Sequence, residues 1–118
     1  MKSKVNMTEE DIKNKYITTA IIGAGWDLKS QVHFEHSFTD GRIIVRGNMT
    51  SRAKQKRADY LLMHKSNYPL AIVEAKDNKH PIGGGMQKAL DYADILDIPY
   101  ANSSNGDAFV EHILPHIQ

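Results

Sequence analysis

Cysteine is absent from this sequence of 118 residues. Its absence excludes disulfide bonds and thiolate metal sites, and it fits the reducing environment of the cytoplasm. Long apolar stretches are absent too, because none approaches the roughly 20 residues that span a bilayer. The segment 1–11 is polar and lacks the apolar centre of a signal peptide. We therefore expect a cytoplasmic protein without a membrane segment.

A strong net charge and a biased composition are also missing. The net charge is +1, and 41% of the residues are hydrophobic and 25% are charged, as in ordinary globular proteins. The sequence contains no internal repeat, no linker and no low-complexity tract. A chain of 118 residues can enclose one hydrophobic core but not two. We predict a single domain that covers residues 1–118.

Acidic residues are missing from the stretch 42–57, which contains six basic residues. Such a local positive field suits a phosphate backbone, so we predict phosphate contacts that do not read base sequence. One alternative is a basic loop that is only solvated. A second alternative applies to Arg57 alone, which would instead stabilise the strand that leads to Asp59. The candidate phosphate contacts are Arg52, Lys54, Lys56 and Arg57.

Two helices are indicated by the spacing of apolar residues. Thr8 and Asp11 form the pattern of a capping box, and an apolar stripe over 12–21 follows at helical spacing. A second helix is predicted to begin after the three glycines 83–85 and to cover 86–96. Gly23 and Gly25 follow a helix rather than a strand, so they are not a dinucleotide-binding pattern.

Five strands are indicated by apolar alternation between turn residues. The order α-β-β-β-β-α-β predicts an α/β fold, with a central mixed sheet flanked by a helix on each side. The third and fourth strands are apolar on both faces, which is typical of the middle of a sheet. The predicted strands are 26–38, 42–46, 58–64, 70–77 and 98–102, followed by a turn at Asn105 and Gly106 and a short tail.

The two central strands predict a register that brings two carboxylates together. If a loop of four residues joins the strands, His64 pairs with Pro69 and Asp59 lies opposite Glu74. Lys76 lies two residues beyond Glu74 and therefore shares its face of the sheet. The sequence thus places two acids and a lysine on one face.

Facing carboxylates repel each other across a sheet, and a divalent cation reverses that interaction. Mg²⁺ takes one or two carboxylates together with waters and a phosphate oxygen. We therefore predict that Asp59 and Glu74 bind Mg²⁺, or Mn²⁺ in its place, with the backbone carbonyl of Ala75 as a further ligand. Lys76 is expected to hold or deprotonate a water that attacks the phosphate, and to offset negative charge in the transition state of that attack. The alternative is a surface salt bridge between Asp59 and Lys76 with Glu74 solvated.

Glu9 is a third candidate catalytic acid. At 100° per residue it lies about 30° from the centre of the apolar stripe of the first helix, so it leans toward the sheet. There it could hydrogen-bond a metal-bound water or ligate a second metal ion. The alternative is an acid that only stabilises the helix dipole.

Seven short segments together resemble one protein family in order and over nearly the whole chain. They resemble the N-terminal nuclease domain of the motor-and-cleavage (R) subunit of type I restriction endonucleases, in the PD-(D/E)xK superfamily. The segments are TEED at 8–11, AGWD at 24–27, RADYLL at 57–62, AIVEAKD at 71–77, ALDYA at 89–93, IPY at 98–100 and SNGD at 104–107.

The resemblance implies a restriction-endonuclease-like core that makes a Mg²⁺-dependent cut in double-stranded DNA. It also implies an ATP-dependent complex with methyltransferase and specificity subunits. The nucleotide-binding pattern G-x-x-x-x-G-K-S/T does not occur in this sequence, so ATP would bind only in motor domains outside it. We therefore expect a fragment of a larger multidomain subunit. The alternatives are a stand-alone repair or junction nuclease of the same fold, and a non-catalytic module that binds DNA or a partner.

The sequence departs from the family pattern at one position. The family usually has a glutamine four residues before the helix tyrosine, which is Tyr92 here. Lys88 occupies that position, and Gln87, five residues before Tyr92, lies about 140° round the helix from Tyr92. Either Lys88 contacts a phosphate or a water in place of the glutamine, or a distorted first turn lets Gln87 reach the site.

Overall fold

The computed structural model describes residues 3–39, 43–46, 49–52, 55–65 and 68–115. Within those ranges, no helix is long and apolar enough to cross a membrane. After a short 3-10 turn at Lys4–Asn6, the elements in chain order are α1 (Glu9–Ile12), a π-helical turn (Lys13–Ile17), α2 (Thr18–Gly23), β1 (Val32–Phe38), β2 (Ile43–Arg46), β3 (Met49–Arg52), β4 (Lys56–Lys65), β5 (Tyr68–Ala75), α3 (Met86–Leu96), β6 (Tyr100–Ser104) and β7 (Phe109–Ile113).

Helices α1 and α2 form one helical run with the π-helical turn between them. The predicted capping box is confirmed, because the Asp11 N–H donates to Thr8 Oγ1 at 3.1 Å and the Thr8 N–H donates to Asp11 Oδ2 at 3.4 Å. Ile12, Ile17 and Ile21 are buried on the face that meets the sheet. The π-helical turn lets both Ile12 and Ile17 face the sheet, since they are spaced as in an i→i+5 helix.

The main sheet has five strands in the order β1-β4-β5-β6-β7. The pair β5–β6 is parallel and the other neighbours are antiparallel. The helical run α1–α2 packs on one face of this sheet, and α3 packs on the other. The predicted α/β fold, a mixed sheet flanked by helices, is confirmed.

Two strands were not predicted, and the first and the last predicted strands began too early, since β6 covers Tyr100–Ser104 rather than 98–102. β3 has the polar sequence MTSR and pairs only with β2, in a separate two-stranded sheet. β7, predicted as a tail, pairs with β6 although all five of its residues are exposed, so backbone bonding rather than side-chain burial forms it. The first strand begins at Val32 and not at residue 26. Asp27 instead closes a turn, in which its Oδ2 accepts the Ser30 N–H at 2.9 Å.

The predicted register between β4 and β5 is confirmed in the middle of the pair. Tyr60 pairs with Val73 and Leu62 with Ala71. Nearer the loop the prediction was wrong, because Pro69 pairs with Met63 rather than with His64, at a β-bulge. A proline cannot donate to the ladder, which explains why the register shifts beside it.

The two central strands are buried on both faces, as predicted. One face contacts α1 and α2 and the other contacts α3, so each strand contributes alternate residues to two apolar clusters. Each cluster fixes one helix against the sheet. The residues from the two strands are Tyr60, Leu62, Ala71, Val73 and Ala75 in the first cluster, and Ala58, Leu61, Met63 and Ile72 in the second.

Candidate active site

The site lies where the main sheet opens between β4 and β5. The backbone pairing of these strands ends at Tyr60 and Val73 within the described residues. Beyond that point each strand pairs only with its outer neighbour, β4 with β1 and β5 with β6. Asp59 and Glu74 are the first residues past the last pair. The opening leaves backbone N–H groups without ladder partners, and these two side chains take them.

Asp59 and Glu74 each accept a hydrogen bond from the opposite strand. The Asp59 N–H donates to Glu74 Oε2 at 2.8 Å, and the Ala75 N–H donates to Asp59 Oδ2 at 2.8 Å. This exchange holds one oxygen of each carboxylate in place. The remaining oxygens, Asp59 Oδ1 and Glu74 Oε1, take no part in the exchange.

Glu74 is a buried acid with one oxygen that accepts no hydrogen bond from the part of the chain that the structure describes. It is 1% exposed, and burial, followed by repulsion from Asp59, raises its pKa to about 7. Its Oε1 is buried and accepts no hydrogen bond within the described residues. Lys88 Nζ lies 3.3 Å from that oxygen, close enough for an ion pair but without hydrogen-bond geometry. A buried acceptor of this kind is costly unless a cation satisfies it.

The cation beside Asp59 is Lys13, which the sequence analysis missed. Lys13 is 5% exposed, and its Nζ lies 3.6 Å from Asp59 Oδ1 while it is ion-paired with Glu35. Burial acts to lower the pKa of Lys13, but the bond to Glu35 and the charge of Asp59 outweigh it and raise the pKa. The sequence contained one sign that Lys13 faces the sheet, because this lysine lies in line with Ile17 and Ile21 on the apolar stripe of the helix. Glu35 gave none.

Lys76 lies directly after β5, and its N–H donates to Ser104 O at 2.9 Å. Its side chain runs beside Gly84 and makes no ion pair within the part of the chain that the structure describes. The alternative in which Asp59 pairs with Lys76 and Glu74 is solvated is therefore wrong, because Asp59 neighbours Lys13 and Glu74 is buried. Because Lys76 makes no ion pair among the described residues, its ammonium is available to a bound ligand.

Glu9 begins α1 near these groups. Although the residue is exposed, partial burial of its carboxyl and then the charge of Asp59 raise its pKa, while Lys76 acts to lower it. Across the described ranges, no three His, Cys, Asp or Glu side chains are grouped closely enough to hold a metal ion. The metal-binding roles predicted for Asp59, Glu74 and the Ala75 carbonyl, and the role predicted for Glu9, therefore stay predictions.

Gly85 lets α3 approach the site closely. A Cβ at this position would lie 3.1 Å from Ser103 Oγ and 3.2 Å from Glu74 Cβ. The Gly85 N–H donates to Ser103 Oγ, which in turn donates to Ile82 O, both at 2.8 Å. Ser103, which the sequence analysis did not single out, thus holds the start of α3 against Glu74.

The donor set fits a magnesium ion. Two carboxylates are fixed side by side, each with one oxygen outside the cross-strand bonds, and the Glu74 oxygen is buried without a hydrogen bond. Mg²⁺ needs only one or two protein carboxylates, because waters and a substrate phosphate complete its shell. Oxygen-only ligands exclude a preference for soft metals.

Comparison with known proteins finds two relatives with related names. No protein-family model matches the sequence. The chain is 48% identical over 105 residues to the type I restriction enzyme EcoAI endonuclease subunit of Escherichia coli, covering 89% of this chain and 13% of the relative. A solved fragment, assigned to an HsdR subunit of a type I restriction enzyme from Vibrio vulnificus YJ016, is 41% identical and has a TM-score of 0.76. That match covers 91% of this chain and 21% of the solved one.

This chain is homologous to type I restriction endonuclease subunits. It spans only a small part of the length of either relative, 13% of one and 21% of the other. The structural likeness at this level of identity also supports a restriction-endonuclease-like fold for the described sheet and helices.

Within this homologue of restriction subunits, the structure decides which residue of α3 faces the site. Lys88 contacts Glu74 and lies over the ring of Tyr92, 5.5 Å from its centroid. Gln87 points along the exposed side, where its Nε2 donates to Asp91 Oδ1 at 3.0 Å. Of the two residues considered for this position in the sequence analysis, Lys88 is therefore the one that faces Glu74. What Lys88, Gln87 and Tyr92 do with DNA stays a prediction.

The basic residues predicted to contact phosphate are only partly described. Arg57 Nε lies 3.0 Å from Glu35 Oε2, as expected if Arg57 braces its strand. Lys56 is half-buried at the start of β4, and Arg52 ends β3. Lys54 lies outside the described residues. These contacts do not decide between phosphate binding by this cluster and its two alternatives, a solvated loop and an Arg57 that stabilises its strand.

Proposed function

We propose that this chain is the DNA-cleaving part of a type I restriction enzyme subunit and that it hydrolyses phosphodiester bonds with the help of Mg²⁺. The observation that carries the proposal is the pair of carboxylates, Asp59 and Glu74, fixed across the sheet opening with a buried Glu74 oxygen left unsatisfied. Two carboxylates this close repel each other, and a divalent cation bound to both would remove that repulsion. The homology to restriction endonuclease subunits supports the same conclusion.

Three residues of the site have a role in this proposal. Asp59 Oδ1 and Glu74 Oε1 would hold the metal ion, because their other oxygens are bonded to backbone N–H groups. When bound, Mg²⁺ would neutralise charge on the scissile phosphate and acidify a water. The Lys76 ammonium, without an ion pair among the described residues, would position that water or offset negative charge on the phosphate.

The complete protein is proposed to work in a larger assembly. Double-stranded DNA is the substrate, methyltransferase and specificity subunits are the partners, and ATP is used in motor domains outside this sequence. Mn²⁺ is expected to replace Mg²⁺, since both prefer oxygen ligands. The cytoplasmic location stays a prediction.

The test has a binding arm and a cleavage arm. Calorimetric titration of this chain with Mn²⁺ should show binding that Asp59→Ala abolishes. In the complete natural protein, assembled with its partners and given ATP, plasmid cleavage should require Mg²⁺ and be lost in Glu74→Gln. Glu111→Gln, which alters an exposed acid on β7, is the control and should cut normally. Equal Mn²⁺ affinity in Asp59→Ala, or undiminished cutting by Glu74→Gln, overturns the proposal.

A further inference from the structure

Glu35 has an unusual backbone beside the proposed metal site. Its φ is 51°, in the left-handed region, although it lies inside strand β1 and is not a glycine. Its neighbours Phe34 and His36 pair normally with Tyr60 and Ala58, so the distortion is confined to the residue across from Asp59. Strained residues of this kind persist only where the surrounding structure holds them, and they concentrate at functional sites.

The carboxylate of Glu35 joins two cations. Its Oε1 is ion-paired with Lys13 Nζ, and its Oε2 lies 3.0 Å from Arg57 Nε. Lys13 is also held through its backbone, since its carbonyl accepts a hydrogen bond from the Tyr60 hydroxyl at 3.3 Å. The position of the Lys13 ammonium is therefore set by contacts other than Asp59.

Lys13 is a potential competitor for the proposed metal ion. Its Nζ lies 3.6 Å from Asp59 Oδ1, the oxygen that the Ala75 N–H leaves unused. Because the ammonium is almost wholly buried, it needs a counter-charge nearby. Two acids other than Glu35 lie within reach, Asp59 and Glu10, and Glu10 is the farther at 3.9 Å. Without the charge of Glu35, the ammonium would close on Asp59 Oδ1.

We propose that Glu35 is a positioning residue that holds Lys13 away from Asp59 and so keeps Asp59 Oδ1 open for the divalent cation. The inference rests on the proposed function, since it assumes that Asp59 binds the cation. The left-handed backbone at Glu35 directs the carboxylate to Lys13 and Arg57, which explains why a strained conformation is kept in an otherwise regular strand.

The experiment is a double-mutant cycle in Mn²⁺ affinity, measured by calorimetry on this chain. Glu35→Gln should weaken Mn²⁺ binding by about tenfold or more, a coupling common for residues in one charged network. In a Lys13→Met background the same substitution should have no effect, because the competing ammonium is gone. Glu10→Gln removes a charge from the same lysine on an exposed side chain and should leave the affinity unchanged.

A second variant, Glu35→Gly, tests whether a loss of Mn²⁺ affinity in Glu35→Gln results from misfolding. Glycine adopts a positive φ without strain, so Glu35→Gly removes the carboxylate without straining the backbone and should lose Mn²⁺ affinity like Glu35→Gln. A purely structural role would leave the Mn²⁺ affinity of both folded variants intact. If wild type binds Mn²⁺ and both Glu35 variants bind it equally well, the positioning role is overturned and the metal site stands. If wild type binds no Mn²⁺, the proposed function itself fails.

Discussion

Replacement of Glu74 by glutamine is expected to stabilise the metal-free protein in neutral and alkaline solution. Burial, and then repulsion from Asp59, raises the pKa of Glu74 from 4.5 to about 7. The folded protein therefore binds this proton more tightly than the unfolded chain does. Its contribution to stability is complete below pH 4.5 and is lost as the pH rises through about 7. At about 1.4 kcal/mol per pKa unit, the ionised carboxylate costs roughly 3 kcal/mol at pH 8.

Glutamine keeps the shape of the side chain and can still accept the Asp59 N–H, so the substitution removes mainly the charge. Lys88, which is half exposed, then takes water as its partner. The expected gain in unfolding free energy is about 2–3 kcal/mol at pH 8 and under about 0.5 kcal/mol at pH 4.5. For a domain of this size the gain at pH 8 corresponds to roughly 10 °C in Tm.

The assay is urea unfolding of wild type and Glu74→Gln in the presence of EDTA, at both pH values. Glu111→Gln removes an exposed carboxylate on β7 and should match wild type at each pH. The reasoning is refuted if Glu74→Gln is less stable than wild type at pH 8. A gain of equal size at pH 4.5 also refutes it, because the ionisation of Glu74 cannot then be the cause.

Three further predictions concern cations around the site. Lys76→Ala should leave the Mn²⁺ affinity intact or slightly raised. Plasmid cleavage by the complete protein should fall by ~10²-fold or more, with ATP hydrolysis unaffected. Cleavage within a few-fold of wild type would show that Lys76 has no catalytic role. Lys88→Gln should raise Mn²⁺ affinity several-fold, because it removes a positive charge 3.3 Å from Glu74 Oε1, and weaker binding in calorimetry would contradict this. Removal of each phosphate-binding side chain from the basic cluster should lower the salt slope of DNA affinity by about one for every DNA sequence. An unchanged slope in the quadruple alanine variant would contradict phosphate binding and favour the alternatives, a solvated loop or an arginine that stabilises its strand. That variant replaces Arg52, Lys54, Lys56 and Arg57.

Local patterns in the sequence were enough to predict the layers of the fold and the central carboxylate pair. The capping box at Thr8 and Asp11 and the alternation on both faces of β4 and β5 involve neighbours in the chain, so they can be read without coordinates. The predicted register assumed a loop of four residues. Its middle is confirmed, although Lys65 pairs with Tyr68 and a bulge shifts the pairing beside the loop. That register placed Asp59 across from Glu74, where the structure has them exchange hydrogen bonds with the backbone.

Only the tertiary structure decided the surroundings of that pair. Lys13 and Glu35 meet Asp59 from a helix and a strand far apart in sequence, and a strand pattern contains no sign of a left-handed residue at Glu35. The choice of Lys88 over Gln87 depended on how α3 sits above Glu74, which Gly85 and its bond to Ser103 determine. Periodicity in a sequence reports which side of an element is buried. The distances between charges on different elements depend on how those elements pack, and packing is a property of the whole fold.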